Sequence, residues 1–560
     1  MPAMTRIGSL VAALVSFLTG SGLAQSTFVE RTAAAGIDFV TVSGELDKRH
    51  ILSTLGSGVA LIDYDEDGDL DLYFVNGARI VDGGVDSTPS DRLYRNDGGW
   101  AFTDVSEQAR IARPGWGVGV SVGDIDNDGL SDLYVTRVGE NLLFRNRGDG
   151  TFEEVAGPAG VAHAAWGTSS VWFDADGDGD LDLYVANYIE VDLDALPRAG
   201  EEERCQWFGI SIMCGPKGLP GQPDVFFVND GDGTFSDRTV SSGLSDPSGA
   251  YGLGVVAGDL DGDGHQDLYV ANDSVPNFFY RNSGDGTFRE AAFLSGVALS
   301  TEGLAQAGMG VDLGDLNADG ALDLFVTNFS HETNNAYMNH GEGLFLDAVG
   351  EANMHGPSWF SLGWGTRMVD FDHDGDLDVF VANGHVYPGV DETNLKTLYH
   401  QPNQIFWNDG AGLFHESPPA ESDAMARASS SRAAAFGDLD GDGDIDGVVV
   451  NIDREPSLLD NRPAEASAWI GLRLIGRSAP RDAAGTVVSL HASVGRLVRI
   501  VHTGGSFLAA SDARLDFGLG DGGTVEGIEV HWASGAIDTV GSVLPGRLYV
   551  VIEGQGLLTQ

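Results

Sequence analysis

The sequence predicts an all-β protein, a seven-bladed β-propeller followed by a C-terminal β-sandwich. Three observations predict it. An Asp-x-Asp-x-Asp-Gly-x-x-Asp loop recurs seven times, beginning at Asp63, Asp124, Asp174, Asp259, Asp315, Asp370 and Asp438. The loops are flanked by short segments with the two-residue period of a strand, as in Leu70, Leu72 and Phe74. The last copy lacks an outermost segment that the other six possess, while the N-terminus carries a spare one. A chain of 560 residues exceeds one ordinary core. Unequal spacing between the loops suits propeller blades with insertions and not a tight solenoid.

In chain order, residues 1–24 read as a secretory signal, with Arg6, an apolar run from Leu10 to Leu18 and the small-residue site Gly22-Leu23-Ala24 before Gln25. No later run approaches the roughly 18 apolar residues of a spanning helix, and no cysteine follows the expected cleavage point, so neither a membrane anchor nor a lipid anchor is expected. The expected location is therefore secreted or periplasmic. Residues 25–464 form the propeller. In the first repeat its four strands are Gly58 to Ile62, Leu70 to Val75, Leu93 to Tyr94 with Asn96, and Phe102 to Val105. The third strand ends at an Asn turn in every copy (Asn96, Asn146, Asn229, Asn282, Asn339, Asn408 and Asn461). The fourth opens with Phe102, Phe152, Phe235, Phe288, Phe345 or Phe414, but Arg462-Pro463 follows the last Asn. Phe28-Val29-Glu30 with Ala35-Gly36-Ile37 matches Phe152-Glu153-Glu154 with Ala159-Gly160-Val161, so the N-terminus is expected to supply the missing strand and close the ring. Small residues such as Gly117-Val118-Gly119 and Ser429-Ser430-Ser431 mark the first strands as innermost. Residues 465–560, alternating apolar and polar with Gly turns, form a compact β-sandwich.

The loops carry the chemistry. Their first, third, fifth and ninth positions are Asp63, Asp65, Asp67 and Asp71; Asp124, Asp126, Asp128 and Asp132; Asp174, Asp176, Asp178 and Asp182; and Asp259, Asp261, Asp263 and Asp267. The remaining three sets are Asp315, Asn317, Asp319 and Asp323; Asp370, Asp372, Asp374 and Asp378; and Asp438, Asp440, Asp442 and Asp446. The sixth position is always Gly, where the chain must turn sharply. The seventh varies (Asp69, Leu130, Asp180, His265, Ala321, Asp376, Asp444), as expected of a residue that contributes its carbonyl. Hard oxygen donors at alternating positions suit Ca2+, about seven ions with a structural role. An EF-hand is excluded: it needs Glu at position twelve, and here Phe74, Val135, Val185, Val270, Val326, Val381 and Val449 stand there. Without metal, each loop would hold mutually repelling carboxylates.

These residues resemble the FG-GAP/VCBS repeat propellers, a group that includes the integrin α-chain head. The whole mature chain is similar to the cartilage acidic protein family with its C-terminal ASPIC/UnbV domain. The matches are Cys214-Gly215-Pro216-Lys217-Gly218-Leu219-Pro220, Asn383-Gly384-His385-Val386-Tyr387-Pro388, Gly504-Gly505-Ser506-Phe507-Leu508 leading to Phe517-Gly518-Leu519-Gly520, and His531-Trp532-Ala533-Ser534-Gly535. Ala483-Ala484-Gly485-Thr486 departs from the Ile-Gly-Ala run common in that domain. The resemblance implies an acidic, exported, calcium-binding protein, with adhesion or matrix interaction in animal members and no established catalytic residues.

A formal charge of −53 argues against nucleic-acid partners and for cations. Cys205 and Cys214, the only cysteines, predict a disulfide in an exported chain; the alternative is two unpaired thiols, and a zinc site would lack matching histidines. The calcium loops join first to second strands and face one side, while insertions such as Tyr188 to Pro223 and His385 to Asn403 emerge on the other. There Trp116, Trp166, Tyr251 and Trp364, beside His385 and Tyr387, ring the channel mouth as a candidate ligand face for sugar or peptide. The favoured alternative is that these aromatics plug the channel. His331-Glu332-Thr333-Asn334-Asn335 lacks the second His of a zinc-protease helix. No nucleophile turn, phosphate loop or cofactor site is present. The expected function is a secreted calcium-binding protein that binds or adheres to an extracellular protein or glycan; the alternative is a polysaccharide-active lyase or hydrolase.

Overall fold

Each repeat folds as one antiparallel sheet because its middle strands are apolar on both sides. In blade 1, Val59–Ile62, Asp71–Phe74, Arg92–Asn96 and Phe102–Asp104 pair in chain order, with Leu61 opposite Leu72 and Leu72 opposite Tyr94. Every residue of the first two strands is buried, since a blade packs against a neighbour on each face. The computed structural model describes residues 26–558 apart from 82–83, 204, 247–248 and 465–466. The expected signal segment lies outside the described residues. Among these, no helix is long and apolar enough to cross a membrane.

Seven such blades form the ring. Their inner strands are Val59–Ile62, Gly117–Gly123, Ala164–Phe173, Gly252–Gly258, Val311–Gly314, Gly363–Val369 and Ser431–Gly437. The ring closes as the sequence predicts: Thr27–Glu30 pairs antiparallel with Ser457–Arg462 and becomes the outer strand of blade 7. One departure joins blades 2 and 3, where the strand Asp132–Glu140 runs past its blade and pairs through Glu140 with Ala164.

The conserved position of the Asn turn has a second use. In six copies its Oδ1 accepts the amide of the residue two further on, which in the seventh is Pro463 with no N–H to give, and in all seven its side-chain NH2 donates to the preceding blade. Asn96 Nδ2 reaches Leu439 O at 2.8 Å, Asn146 reaches Tyr64 O at 2.9 Å, Asn229 reaches Ile125 O at 3.0 Å and Asn282 reaches Ala175 O at 2.8 Å. Asn339, Asn408 and Asn461 complete the circle on Leu260, Leu316 and Phe371. A buried carbonyl left without a partner is costly, so seven side chains stitch blade to blade around the ring.

The C-terminal segment is a sandwich of two four-stranded sheets. One contains Ala468–Ile475, Leu515–Gly520, Arg547–Ile552 and Gly556–Leu557; the other contains Val487–Ala492, Gly495–Ile500, Val525–His531 and Ile537–Val540. Ile470, Leu490, Phe517, Leu519, Ile528 and Val551 fill the space between them. The sandwich sits on the Asp-loop side of the ring: a Cβ at Gly443 would meet the Trp469 ring at 2.0 Å, and one at Gly179 would meet Ser478 O at 2.7 Å.

From the sandwich a tongue, residues 501–512, enters the axis of the propeller. Gly505 N donates to Val255 O, Val311 N to Ser506 O and Ala510 N to Val59 O, each at 3.0 Å. Val120 N donates to Leu508 O, Ser506 Oγ to Ala434 O, Leu508 N to Ser169 Oγ, and Arg367 Nη1 meets His502 Nε2 at 2.7 Å. The tongue thus bonds to all seven blades. Phe507 and Leu508 are fully buried. The small inner-strand residues make room for it as well as for the neighbouring blades, since a Cβ at Gly58 would lie 2.0 Å from Leu508 O.

Candidate calcium loops and ligand face

Each loop repeats one hydrogen-bond plan. The first Asp accepts the amide of the sixth-position glycine, as in Asp63 from Gly68 at 3.2 Å, Asp124 from Gly129 at 2.8 Å and Asp315 from Gly320 at 2.9 Å. These glycines have φ between +90° and +106° in all seven loops, a region that glycine enters freely. The fifth Asp accepts the amide of position seven, as in Asp67 from Asp69, Asp128 from Leu130, Asp263 from His265 and Asp319 from Ala321. The ninth is a clamp: Asp71 accepts Tyr64 N at 3.1 Å and Asn96 N at 2.8 Å, and Asp182 accepts Ala175 N at 3.0 Å and Asn229 N at 2.8 Å. It therefore ties the loop to the Asn turn.

Carboxylates are drawn together, the ninth-position Asp buried in each loop and the third or fifth often exposed. In the sets Asp63/Asp65/Asp71, Asp124/Asp126/Asp132, Asp174/Asp176/Asp182 and Asp259/Asp261/Asp263, oxygens from all three residues lie within 4.8 Å of one another. That is the spread of donors around an ion bound at 2.3–2.6 Å. Burial pushes Asp71, Asp182, Asp267, Asp323 and Asp370 up to about 8, Asp124 and Asp444 up to about 7, and Asp174 and Asp438 up to about 6. Neighbouring loop aspartates add to the rise in each.

Five buried carboxylate oxygens in these loops have no hydrogen-bond partner: Oδ1 of Asp63, Asp126, Asp370, Asp372 and Asp440. Orphaned buried oxygens in an all-oxygen donor set fit a hard divalent cation. Arginines answer part of the charge. Arg145 pairs with Asp126, Arg281 with Asp261, Arg462 Nη1 with Asp442 at 2.8 Å, and Arg499 of the sandwich approaches Asp370 at 3.8 Å. The sixth loop is the most enclosed, because Gly518 N of the sandwich donates to Asp370 at 2.9 Å.

The aromatics expected at the channel mouth do not form an open ligand face. Trp116, Trp166, Trp364 and His385 are buried, and Tyr251 and Tyr387 are partly buried against the same core, which continues into Phe507 and Leu508. Trp364 lies 4.9 Å from Phe507 between ring centroids, and the fully buried Arg432 stacks on its ring at 4.1 Å. From outside, Trp207 covers His385 at 5.1 Å and Tyr387 at 5.9 Å. Trp207 belongs to a hairpin, Gln206–Trp207 with Ile210–Ser211, closed by the Cys205–Cys214 disulfide. The channel is plugged because both its ends are filled by segments distant in sequence, the tongue and the hairpin.

The insertion side instead opens a cavity of about 590 Å³ between the connection from blade 4 to blade 5, residues 331–333 of blade 5, and residues 355–360 leading to blade 6. Glu332 lies in it, its Oε2 accepting Ala307 N at 2.8 Å, and burial pushes its carboxyl up to about 7. His331 is a turn residue with φ +65°, its amide bonded to Trp359 O at 2.7 Å and its Nε2 buried without a partner. Its ring meets Phe208 at 5.0 Å, Phe360 at 5.7 Å and Trp359 at 6.1 Å, and His355 stacks on Trp359 at 5.7 Å. The sequence put His331 on the insertion face near Glu332 as well as in a failed helix motif; Trp359 and Phe360 carry no local signal of belonging with them.

The FG-GAP-like repeat family matches residues 63–135, 126–185, 218–270, 259–326, 315–381 and 393–449, and the ASPIC and UnbV family matches 476–557. The chain belongs to the FG-GAP repeat family. It also carries the ASPIC and UnbV domain, which coincides with the sandwich and its tongue, while each matched repeat ends on the second strand of the following blade. Cartilage acidic protein 1 of Homo sapiens is 27% identical over 341 residues, 59% of this chain and 48% of that protein. The Mus musculus protein is 28% identical over 294 residues, 51% of this chain and 42% of that one. The chain spans about half the length of the curated relatives it matches. Among solved structures, BBS1N in complex with ARL6DN aligns at 12% identity over 79% of this chain and 97% of that chain, TM-score 0.41. YCF48 bound to D1 peptide aligns at 8% identity over 79% and 99%, TM-score 0.38.

Proposed function

We propose that this FG-GAP propeller is an exported calcium-binding protein that acts as an extracellular binding or adhesion protein, with calcium in a structural role. The observation that carries the reading is the sevenfold repetition of one loop plan, with buried carboxylate oxygens in the first, second, sixth and seventh loops that no group among the described residues satisfies. The first, third, fifth and ninth side chains of each loop would hold the ion, with the seventh-position carbonyl. Calcium would supply the positive charge that lets these buried acids ionise together. The protein's own residues do the rest: the ninth Asp fixes loop to turn and the Asn stitches blade to blade. The disulfide suits an oxidising compartment, and the cartilage acidic proteins supply a precedent in name. With the sandwich on the loop side, the insertion side is the free face for a partner.

The experiment is metal counting joined to thermal unfolding, in chelator and in millimolar calcium. About seven ions bound and a large upward shift in melting temperature are expected, since a ligand that binds only the native state stabilises it. No shift, or only one or two ions bound, would overturn the reading. A second reading, a polysaccharide-active enzyme, is favoured by one observation: Glu332, raised to about 7 inside an aromatic cleft, has the protonation range of a general acid. Turnover of a polysaccharide that Glu332→Gln abolishes would establish it.

A further inference from the structure

We propose that the cavity beside blade 5 is a binding site for a neutral saccharide. The inference rests on the reading of the insertion side as the free face, and it names the ligand class and the residues.

The argument begins with size. A space of about 590 Å³ falls within the range of small-ligand sites and would take two or three sugar rings. Its walls are of two kinds. Trp359, Phe360 and His355 present aromatic faces, with Phe360 38% exposed and His355 exposed. Such faces stack on the C–H face of a pyranose. Against them stand Glu332, Glu302 and Gln306, which accept from hydroxyls, and His331, whose buried Nε2 has no partner among the described residues.

Charge narrows the class. No arginine or lysine is among the described residues lining the cavity, while two glutamates are. Two lysines stand just outside the lining: Lys396 over the Phe360 ring at 5.6 Å, and Lys217 near enough to Glu332 to offset part of the rise that burial gives its carboxyl. A sulfated or uronic-acid ligand would meet the carboxyl groups of Glu302 and Glu332 with no arginine or lysine in the described lining to pair with it. A purely apolar ligand would strip water from the carboxyl and amide groups of Glu332, Glu302 and Gln306 without replacing it. A neutral saccharide satisfies both walls, with its ring on the aromatics and its hydroxyls on the polar groups.

The site is also held in place. His331 is fixed in a left-handed turn by its amide bond to Trp359 O, and Gln306 Nε2 donates to Thr333 O at 2.8 Å while its Oε1 accepts from Asn335. The disulfide hairpin packs Phe208 on the other side of His331. Pre-positioned groups bind with less loss of freedom on association.

The test titrates the calcium-loaded full chain with cellotriose, mannotriose and triacetylchitotriose, and with a heparin tetrasaccharide as the anionic comparison. Saturation-transfer NMR and tryptophan fluorescence give the affinities. At least one neutral trisaccharide is expected to bind with a Kd below about 10 mM and the heparin fragment not to bind. Trp359→Ala and Phe360→Ala should each weaken that binding at least about tenfold. Phe360 is exposed enough that its variant keeps the test valid should Trp359→Ala fail to fold. Absence of binding by every neutral sugar, equal binding by the heparin fragment, or binding indifferent to both variants would overturn the proposal. So would capture of a lysine-rich peptide by the cavity in place of the sugars. Those results, obtained with calcium-linked stabilisation intact, would leave the broader reading standing. Loss of the calcium response would remove that reading whatever the sugars do.

Discussion

Phe507→Ala should destabilise the propeller although Phe507 belongs to the C-terminal domain. Its ring is fully buried at the axis, packed on Trp364 at 4.9 Å in the same cluster as Trp116, Trp166 and Leu508. Truncating a buried Phe costs about 3–5 kcal/mol, and the aromatic pair accounts for about 1 kcal/mol beyond its area. The backbone bonds of the tongue to the blades survive the change, so the loss measures packing alone. Against a typical total of about 5–15 kcal/mol, a drop of about 4 kcal/mol is large. Urea unfolding followed by tryptophan fluorescence would read it, with limited proteolysis of the segment between Arg462 and Ala468 reporting release of the sandwich. Wild type should unfold in one transition and the variant at a clearly lower midpoint, with faster cleavage. A loss below about 1 kcal/mol, or a propeller without residues 465–560 as stable as the full chain, would refute the claim that the tongue is part of the propeller's core.

The other predictions concern single groups. Asp224 accepts Asn187 N and the Tyr184 hydroxyl, each at 2.7 Å, and burial pushes it up to about 7; Asn277, Asn334 and Asn403 take its place in blades 4 to 6. With a folded value above the unfolded one, Asp224 costs stability as pH rises from about 4 to 7, so the advantage of Asp224→Asn over wild type should grow by about 3 kcal/mol between pH 5 and pH 8 in denaturant titrations. Asn229→Ala strands Ile125 O and Leu181 O and should cost about 2–3 kcal/mol by the same assay. Gly68→Ala and Gly443→Ala share left-handed strain, with φ of +96° and +92°, but only the second collides with Trp469, while nothing lies within 4 Å of the first. Gly443→Ala should therefore hasten cleavage of the interdomain segment and Gly68→Ala should not.

The blades were legible because their determinants are local and repeated. Alternation, the Asp loop, the Asn turn and the Phe opening recur in each copy, and the unpaired Phe28-Val29-Glu30 could match only the copy without a fourth strand. The loop chemistry was legible for the same reason, since its donors are spaced within nine residues. Three things had no such local signature. The Asn side chains bond to the blade before their own, a partner some 80 or more residues away for most of them. The Gly504-Gly505-Ser506-Phe507-Leu508 run was visible as a motif, yet its place at the axis depends on the backbone groups of five blades, one serine hydroxyl and one arginine that meet only when the ring has closed. The cavity draws Gln306, His331 and Trp359 from three separate connections around blade 5. Tryptophans 116, 166 and 364 were recognisable as inner-strand aromatics, but whether they faced water or a plug depended on chain that arrives from far ends of the sequence. Periodicity specifies what a segment does to its neighbours, and it is silent about which distant segment will fill the space that a closed ring leaves.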